Sequence, residues 1–226
     1  ALRMPLHAQV PPGIQAELSA LGRVVAARET ADLYRPLFGP GRMDGVTVVK
    51  DSAYGGDSRQ ILDIYRPTAA VDAALPVLIF FPGGAGAKQM SGINGDVFYG
   101  NVGAWGVRNG LIVVVAQYRF GGQYPWDAGA QDVAAIVRWG KAGIAGHGGG
   151  PEGVVGMGQS NGAVQLATYL GHGSGRSEEE AGLRGAILMG GAFNLLPLRL
   201  SVPDRFTGTG GRGVPPPPML GAPPVP

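Results

Sequence analysis

The stretch Gly153–Leu170, GVVGMGQSNGAVQLATYL, joins a strand pattern to a helix pattern. Gly153–Met157 is a continuous apolar run, which is typical of a strand buried on both faces of a parallel sheet. From Asn161 onward, apolar side chains recur at helical spacing. The residues between, Gly158-Gln159-Ser160-Asn161-Gly162, fit the G-x-S-x-G pattern of a tight strand-to-helix turn. The stretch therefore predicts one strand, one helix and a serine hydroxyl raised above the edge of a sheet.

The same alternation of apolar strands and amphipathic helices continues along the rest of the chain. An antiparallel hairpin is predicted first, with strands at Val46–Lys50 and Ile61–Tyr65 around a turn at residues 54–57. Strands that then alternate with helices predict an α/β fold, a three-layer α/β/α sandwich with a mostly parallel sheet. The further parallel strands are predicted at Pro76–Phe81, Leu111–Gln117 and Gly185–Met189, and the buried helix faces at Phe98/Val102/Trp105, Val133/Ile136/Val137/Gly140 and Ala163/Leu166/Ala167/Leu170.

The 226 residues divide into three segments. Residues 1–40 are expected to flank the main domain and to contain one helix, because apolar residues recur at helical spacing from Ile14 to Val25. Residues 41–206 carry the partial α/β domain. Residues 207–226 hold so many Gly and Pro residues that we expect a disordered tail. We also expect that the final third of the domain is missing or replaced by this tail.

Composition argues against several classes of function. Lys and Arg total 18 against 16 Asp and Glu, and no block of like charge occurs, so we expect no nucleic-acid or membrane-surface partner. The apolar runs are far shorter than the roughly 18 residues of a membrane span, and no leader pattern opens the chain, so we expect a cytoplasmic protein. With no Cys and three His, neither a metal centre nor another cofactor is expected. The oligomeric state stays open.

A second glycine motif, Phe81-Pro82-Gly83-Gly84-Ala85-Gly86, directly follows the first parallel strand. Its position puts it at the same carboxyl edge of the sheet as Ser160. Such a loop supplies backbone N–H donors to the oxyanion that forms when a serine attacks an acyl group. We predict Gly84, Ala85 and Asn161 as donors, with Gly83 shaping the loop. The structural alternatives are a plain glycine turn and a helix-capping serine.

Five segments between residues 29 and 193 resemble the α/β-hydrolases of the carboxylesterase group, near the hormone-sensitive-lipase, acetyl-esterase and feruloyl-esterase-like branches. The resemblance implies a serine hydrolase of small esters that forms an acyl-enzyme and uses a Ser-His-Asp/Glu triad. Ser160 matches the catalytic nucleophile, and the oxyanion hole falls on Gly83, Gly84, Ala85 and Asn161. The family's His-Gly-Gly-Gly reads Pro-Gly-Gly-Ala here, which removes a loop-orienting His but no backbone donor. The segments are LDIYRP, PVLIFFPGGAG, GVRNGLIVVVAQYRF, YPWDAGAQDVAAIVRWG and VVGMGQSNGAVQLATYL.

The base of such a triad is the part that the sequence does not supply. In this fold the acid and the His follow the nucleophile on later loops, yet beyond Met189 there is no His, and the sole acid is Asp204. His147 precedes the strand of Ser160 and is expected at the opposite edge, and His172 lies about 18 Å along the following helix. His7 is expected to have a surface or packing role. Asp127 and Asp132 are interpreted as a cap and a first-turn acid of their helix.

Two alternatives to an active esterase remain at this point. The first is a non-catalytic pseudo-hydrolase or gene fragment, which keeps the fold without the chemistry. The second is a dinucleotide-binding protein, because Gly156, Gly158 and Gly162 approach a phosphate-binding fingerprint at a helix N-terminus. That reading needs an acid for the ribose at the end of the next strand, and residues 189–193 contain none. We therefore expect an esterase-like chain whose own turnover is impaired.

Overall fold

The computed structural model describes residues 10–23, 26–89, 97–171 and 182–193. After the hairpin, strands and helices alternate from the third strand onward, as predicted. Three short 3₁₀ segments, Arg35–Leu37, Pro40–Met43 and Ile144–His147, connect them. The elements are α1 (Pro12–Leu21), α2 (Ala27–Tyr34), β1 (Val46–Ala53), β2 (Ile61–Pro67), β3 (Leu75–Phe81), α3 (Gly100–Arg108), β4 (Ile112–Ala116), α4 (Ala128–Gly143), β5 (Gly149–Gln159), α5 (Asn161–Gly171) and β6 (Gly185–Met189).

Within the described ranges, six strands form one mixed sheet in the order β1-β2-β4-β3-β5-β6. The predicted hairpin is confirmed, because β1 pairs antiparallel with β2, which in turn pairs antiparallel with β4. The strands β4, β3, β5 and β6 run parallel to one another. Parallel strands end at one edge of the sheet, so the loops after β3, β4 and β5 lie side by side there.

Helices cover both faces of the sheet, which confirms the α/β sandwich. On one face, Val133 and Ile136 of α4 and Leu166 of α5 pack with inward side chains of β2, β3 and β4. On the other face, Val107 of α3 packs with a smaller cluster that includes Phe80. All five residues of β4 are buried, as expected for a central parallel strand covered on both faces.

The prediction of a doubly buried strand is wrong for β6. Its side chains Ile187, Leu188 and Met189 are exposed, although its sequence is as apolar as that of the inner strands. The reason is position: among the described strands, β6 is an edge strand that pairs with β5 alone. Composition reports how apolar a strand is, whereas burial also depends on the elements that pack beside it.

Two helix faces also differ from the prediction. Trp105 of α3 is 50% exposed, because α3 approaches the sheet through Gly103 and Gly106, which lie against side chains of β2 and β4. In α5 the last predicted position, Leu170, is exposed, and the buried aromatic residue is Tyr169. The face predicted for α4 is confirmed, since Val133, Ile136, Val137 and Gly140 are all buried.

The prediction of one helix in residues 1–40 is wrong, because α1 ends at Leu21 and a second helix, α2, follows it. None of the α1 residues is buried. Val24, Val25 and the segment 207–226 lie outside the described residues. The three-segment division therefore stays a prediction. No helix in the described parts of the chain combines the length and the apolar character needed to cross a membrane.

Candidate active site

Ser160 lies in the turn between β5 and α5, as predicted. Its backbone takes a positive φ of 52°, a conformation that residues with a side chain rarely adopt, and its N–H donates to the Met189 carbonyl at 2.8 Å. The neighbouring Gly162 makes this turn possible. A Cβ on Gly162 would lie 1.9 Å from the Phe81 carbonyl oxygen, so only glycine lets α5 start this close to the end of β3.

The glycine loop after β3 lies directly against Ser160. A Cβ on Gly83 would be 2.9 Å from the Ser160 Cβ and 3.1 Å from the Gln159 carbonyl oxygen. Gly83 is buried, whereas Gly84 and Ala85 form an exposed tip. The structure thus brings Gly83 beside Ser160, and it brings Gly84 beside Asn161, whose side-chain Nδ2 donates to the Gly84 carbonyl at 3.2 Å.

Every carbonyl of the glycine loop, residues 82–86, accepts a hydrogen bond. Tyr118, which follows β4, donates two of these five bonds. The loop itself, helix α5 and the turn between β1 and β2 donate one each. The bonds are Tyr118 Oη to Pro82 O (2.6 Å), Gly86 N to Gly83 O (3.3 Å), Asn161 Nδ2 to Gly84 O (3.2 Å), Arg59 Nη2 to Ala85 O (2.5 Å) and Tyr118 N to Gly86 O (3.0 Å).

These bonds fix the direction of the N–H groups in the glycine loop. In a trans peptide the N–H points away from the carbonyl of the same unit, so a held carbonyl also sets the following N–H. In the part of the chain that the structure describes, neither the Gly84 N–H nor the Ala85 N–H donates to a backbone carbonyl. The loop therefore holds two oriented N–H groups that no described backbone carbonyl accepts.

Tyr118 is a residue of this site that the sequence reasoning missed. Its side chain is fully buried, its hydroxyl donates to the Pro82 carbonyl, and the same oxygen accepts from Asn161 Nδ2 at 3.2 Å. Burial raises the pKa of the Tyr118 hydroxyl, which keeps it a neutral donor. A polar aromatic residue directly after a buried parallel strand, at the edge where Ser160 was expected, was the available signal.

Asp132 differs from its predicted role as a first-turn acid. It lies in the second turn of α4, fully buried, and it accepts hydrogen bonds from the Arg119 backbone N–H and guanidinium and from Gln60 Nε2. Asp127 precedes α4 as expected, but its carboxylate accepts from Gln131 Nε2 and caps no backbone N–H. Asp132 therefore links α4 to the loop after β4, whereas the Asp127 carboxylate bonds to a side chain of its own helix.

His147 ends the 3₁₀ segment just before β5, so the strand separates it from Ser160 at the other end. Its ring packs against Trp139, with centroids 6.3 Å apart. Burial, with the Arg66 charge as a second cause, lowers the pKa of His147. His7 and His172 lie outside the described residues, as does Asp204. Among the residues the structure describes, no His, Asp and Glu side chains gather in a group that fits a metal ion.

Two curated proteins share sequence with this chain. Human carboxylesterase 5A is 34% identical over 119 residues, which cover 48% of this chain and 20% of that protein. Esterase LipC of Mycobacterium tuberculosis is 30% identical over 96 residues, which cover 42% of this chain and 23% of that protein. The matched regions therefore span about a fifth to a quarter of the length of these relatives.

Solved esterase structures share the fold. The hyperthermophilic esterase of Pyrobaculum calidifontis superposes with a TM-score of 0.53 at 19% identity, covering 85% of this chain and 60% of that one. Brefeldin A esterase, described as a bacterial homologue of human hormone-sensitive lipase, gives 0.51 at 21% identity, covering 84% and 52%. The BD-FAE family model matches residues 62–186, which is more than half of the 226 residues. The chain belongs to the BD-FAE family.

Proposed function

We propose that this chain carries the nucleophile and the oxyanion hole of a serine carboxylic-ester hydrolase. The Ser160 Oγ attacks the ester carbonyl carbon, and the hydroxyl proton passes to a base. The tetrahedral intermediate then collapses, the alcohol leaves with a proton, and an acyl-enzyme forms on Ser160. Water attacks this second ester, releases the carboxylic acid and restores the serine hydroxyl. Small esters are the proposed substrates, and no cofactor enters any step.

The observation that carries this proposal is the glycine loop with all five carbonyls held. A donor set stabilises an oxyanion most when its direction is fixed before the reaction, because no energy is then spent on reorganisation. The N–H groups of Gly84 and Ala85 meet that requirement, and the first N–H groups of α5, beginning with Asn161, point toward its N-terminal end beside Ser160. The kinship with esterases supports the same reading.

We further propose that the 226-residue chain, as it stands, turns esters over slowly. Proton transfer from Ser160 needs a base within hydrogen-bond reach, and the described histidine, His147, lies at the far end of β5. Without that base, the oxyanion hole and substrate binding alone give about 10³ to 10⁴ over the uncatalysed rate. The non-catalytic alternative therefore differs from this proposal only in the amount of ester turnover. A covalent probe of Ser160 distinguishes the two.

A fluorophosphonate probe tests the nucleophile directly, because its adduct places an oxygen where the oxyanion forms. We expect slow labelling that peptide mass spectrometry assigns to Ser160 and that Ser160→Ala abolishes. Ser58→Ala, at an exposed serine in the turn before β2, is the matched control and should label like the parent chain. Absence of an adduct at Ser160 after overnight incubation would contradict the proposal.

A chromogenic short-chain ester gives the second readout. We expect turnover near the baseline, reduced only modestly by Ser160→Ala, because the one described histidine lies out of reach of Ser160. Turnover near the 10 per second of an ordinary enzyme, lost on Ser160→Ala, would show that a base lies in the part of the chain outside the described residues. His7 would then be the first histidine to substitute.

A further inference from the structure

Arg59 lies far from Ser160 in sequence, in the turn between β1 and β2, yet its guanidinium reaches the glycine loop. Nη2 donates to the Ala85 carbonyl, and Nε donates at 3.1 Å to the Tyr118 carbonyl. The Arg59 backbone N–H donates to Asp57 Oδ1 at 2.8 Å, which holds the turn that presents the side chain. The guanidinium therefore joins the hairpin turn to the loops after β3 and β4.

The tip of the glycine loop depends on such bonds because it lacks packing. Gly84 and Ala85 are exposed, and a Cβ added to Gly84 would find nothing of the described chain within 4 Å. Hydrogen bonds to the two carbonyls are what fixes this tip: Asn161 holds the Gly84 carbonyl and Arg59 holds the Ala85 carbonyl. Arg59 is the charged donor of the two, and a charged donor makes the stronger bond.

We propose that Arg59 is a positioning residue for the oxyanion donors, an inference that rests on the function proposed above. The Ala85 carbonyl and the Gly86 N–H belong to one peptide unit, and the Gly86 N–H donates to the Gly83 carbonyl. Holding the Ala85 carbonyl thus stabilises the turn that carries the Gly84 and Ala85 N–H groups. Arg59 itself touches no reacting atom, so its effect reaches the reaction through the loop.

A residue with this role has a distinct kinetic signature. The oxyanion exists in the transition state and not in the bound ester, so a loosened loop lowers the rate of the chemical step and leaves substrate affinity nearly unchanged. A residue that only stabilises the fold would instead lower the amount of active protein, without changing the rate per labelled site. Misplacement of catalytic donors by a fraction of an ångström is enough for about a tenfold loss.

The test compares Arg59→Gln and Arg59→Lys with Arg108→Gln in the full 226-residue chain. Arg108 is a matched control, because its Nη2 also donates to a backbone carbonyl, that of Gly41, at 2.8 Å. It ends α3, just before β4 begins, and so lies at the edge of the sheet opposite to Ser160. Two readouts are taken: hydrogen exchange of the Gly86 amide by NMR, and the rate of Ser160 labelling by the fluorophosphonate.

We expect Arg59→Gln to exchange the Gly86 amide about tenfold faster and to label Ser160 about tenfold more slowly. Arg59→Lys keeps the charge but reaches a single carbonyl, so both of its rates should lie between those of Arg59→Gln and the parent chain. Arg108→Gln should leave both rates unchanged. Unchanged exchange and labelling in Arg59→Gln would overturn the positioning role while leaving the nucleophile intact. If Ser160 fails to label in the parent chain, the proposed function fails, and the amide exchange still decides the role of Arg59.

Discussion

Gly162 has a hydrogen atom in place of a side chain, and this allows α5 and β3 to approach each other closely at the site. We predict that Gly162→Ala lowers the free energy of unfolding by about 3 kcal/mol, because the new methyl group would overlap the Phe81 carbonyl and backbone would have to move. Urea unfolding measures the change. Gly143→Ala, in the last turn of α4 with open space at its Cβ position, is the control. It should be neutral or stabilising by up to about 1 kcal/mol.

His147 gives the fold a defined dependence on pH. Because burial lowers its pKa in the folded state, the unfolded chain binds more protons between that value and the ordinary pKa of about 6.5. The free energy of unfolding therefore rises with pH across this window and is lower on its acidic side. We predict an NMR titration midpoint below about 6.5 for the resonance that disappears in His147→Gln. A midpoint above that value would contradict the burial argument.

The residues of the candidate site differ in how far the neighbouring sequence predicts them. The positions of Ser160 and the glycine loop could be predicted, since each lies in a short sequence pattern that directly follows an apolar strand. Tyr118 had only an indirect signal in its position after β4, and Arg59 had none, because each acts through backbone carbonyls of a segment distant in sequence. Such contacts follow from the strand order, and a single sequence does not contain that order.

At the scale of elements, the buried Asp132 pairs with the partly exposed Arg119 and so ties α4 to the loop after β4. We predict that Asp132→Ala costs about 3 kcal/mol of unfolding free energy, because it leaves a charged guanidinium and Gln60 without their acceptor. The control is Glu152→Ala, which breaks the exposed pair with Lys141 and should change stability by less than about 1 kcal/mol. Equal losses in urea unfolding would show that burial does not set the value of these pairs.

Whether an element is a helix or a strand could be predicted from the sequence. The face that a helix turns toward the sheet could be predicted less well. The apolar runs identified the strands because strand and helix periods differ along the sequence. The inward face predicted for α3 was wrong because two glycines, and not the large Trp105, lie where that helix contacts the sheet. Hydrophobic spacing weights large side chains, whereas close approach of a helix to a sheet favours small ones.

The two edges of the described sheet differ in how they meet solvent. At the β1 edge, a register shift between Val49 and Ser52 and a positive φ at Asp51 break the regular ladder, and the Asp51 carboxylate binds Lys88 at 2.7 Å. Irregularity and charge of this kind discourage pairing with another chain. At the other edge, β6 is regular, and its Leu188 is 40% exposed. Self-association is therefore expected through β6.

This difference gives a prediction for the whole molecule. We expect the 226-residue chain to self-associate with rising concentration, and Leu188→Lys to shift it toward the monomer, because a charge on an edge strand resists burial against a second sheet. Leu37→Lys is the control, since Leu37 is 52% exposed in a 3₁₀ segment and lies on no strand. Light scattering after size-exclusion chromatography measures the mass. If the parent chain stays monomeric at high concentration, or if Leu37→Lys and Leu188→Lys shift the mass equally, association does not depend on the β6 edge. A selective effect of Leu188→Lys would instead locate the contact on the one described strand that is apolar, regular and exposed.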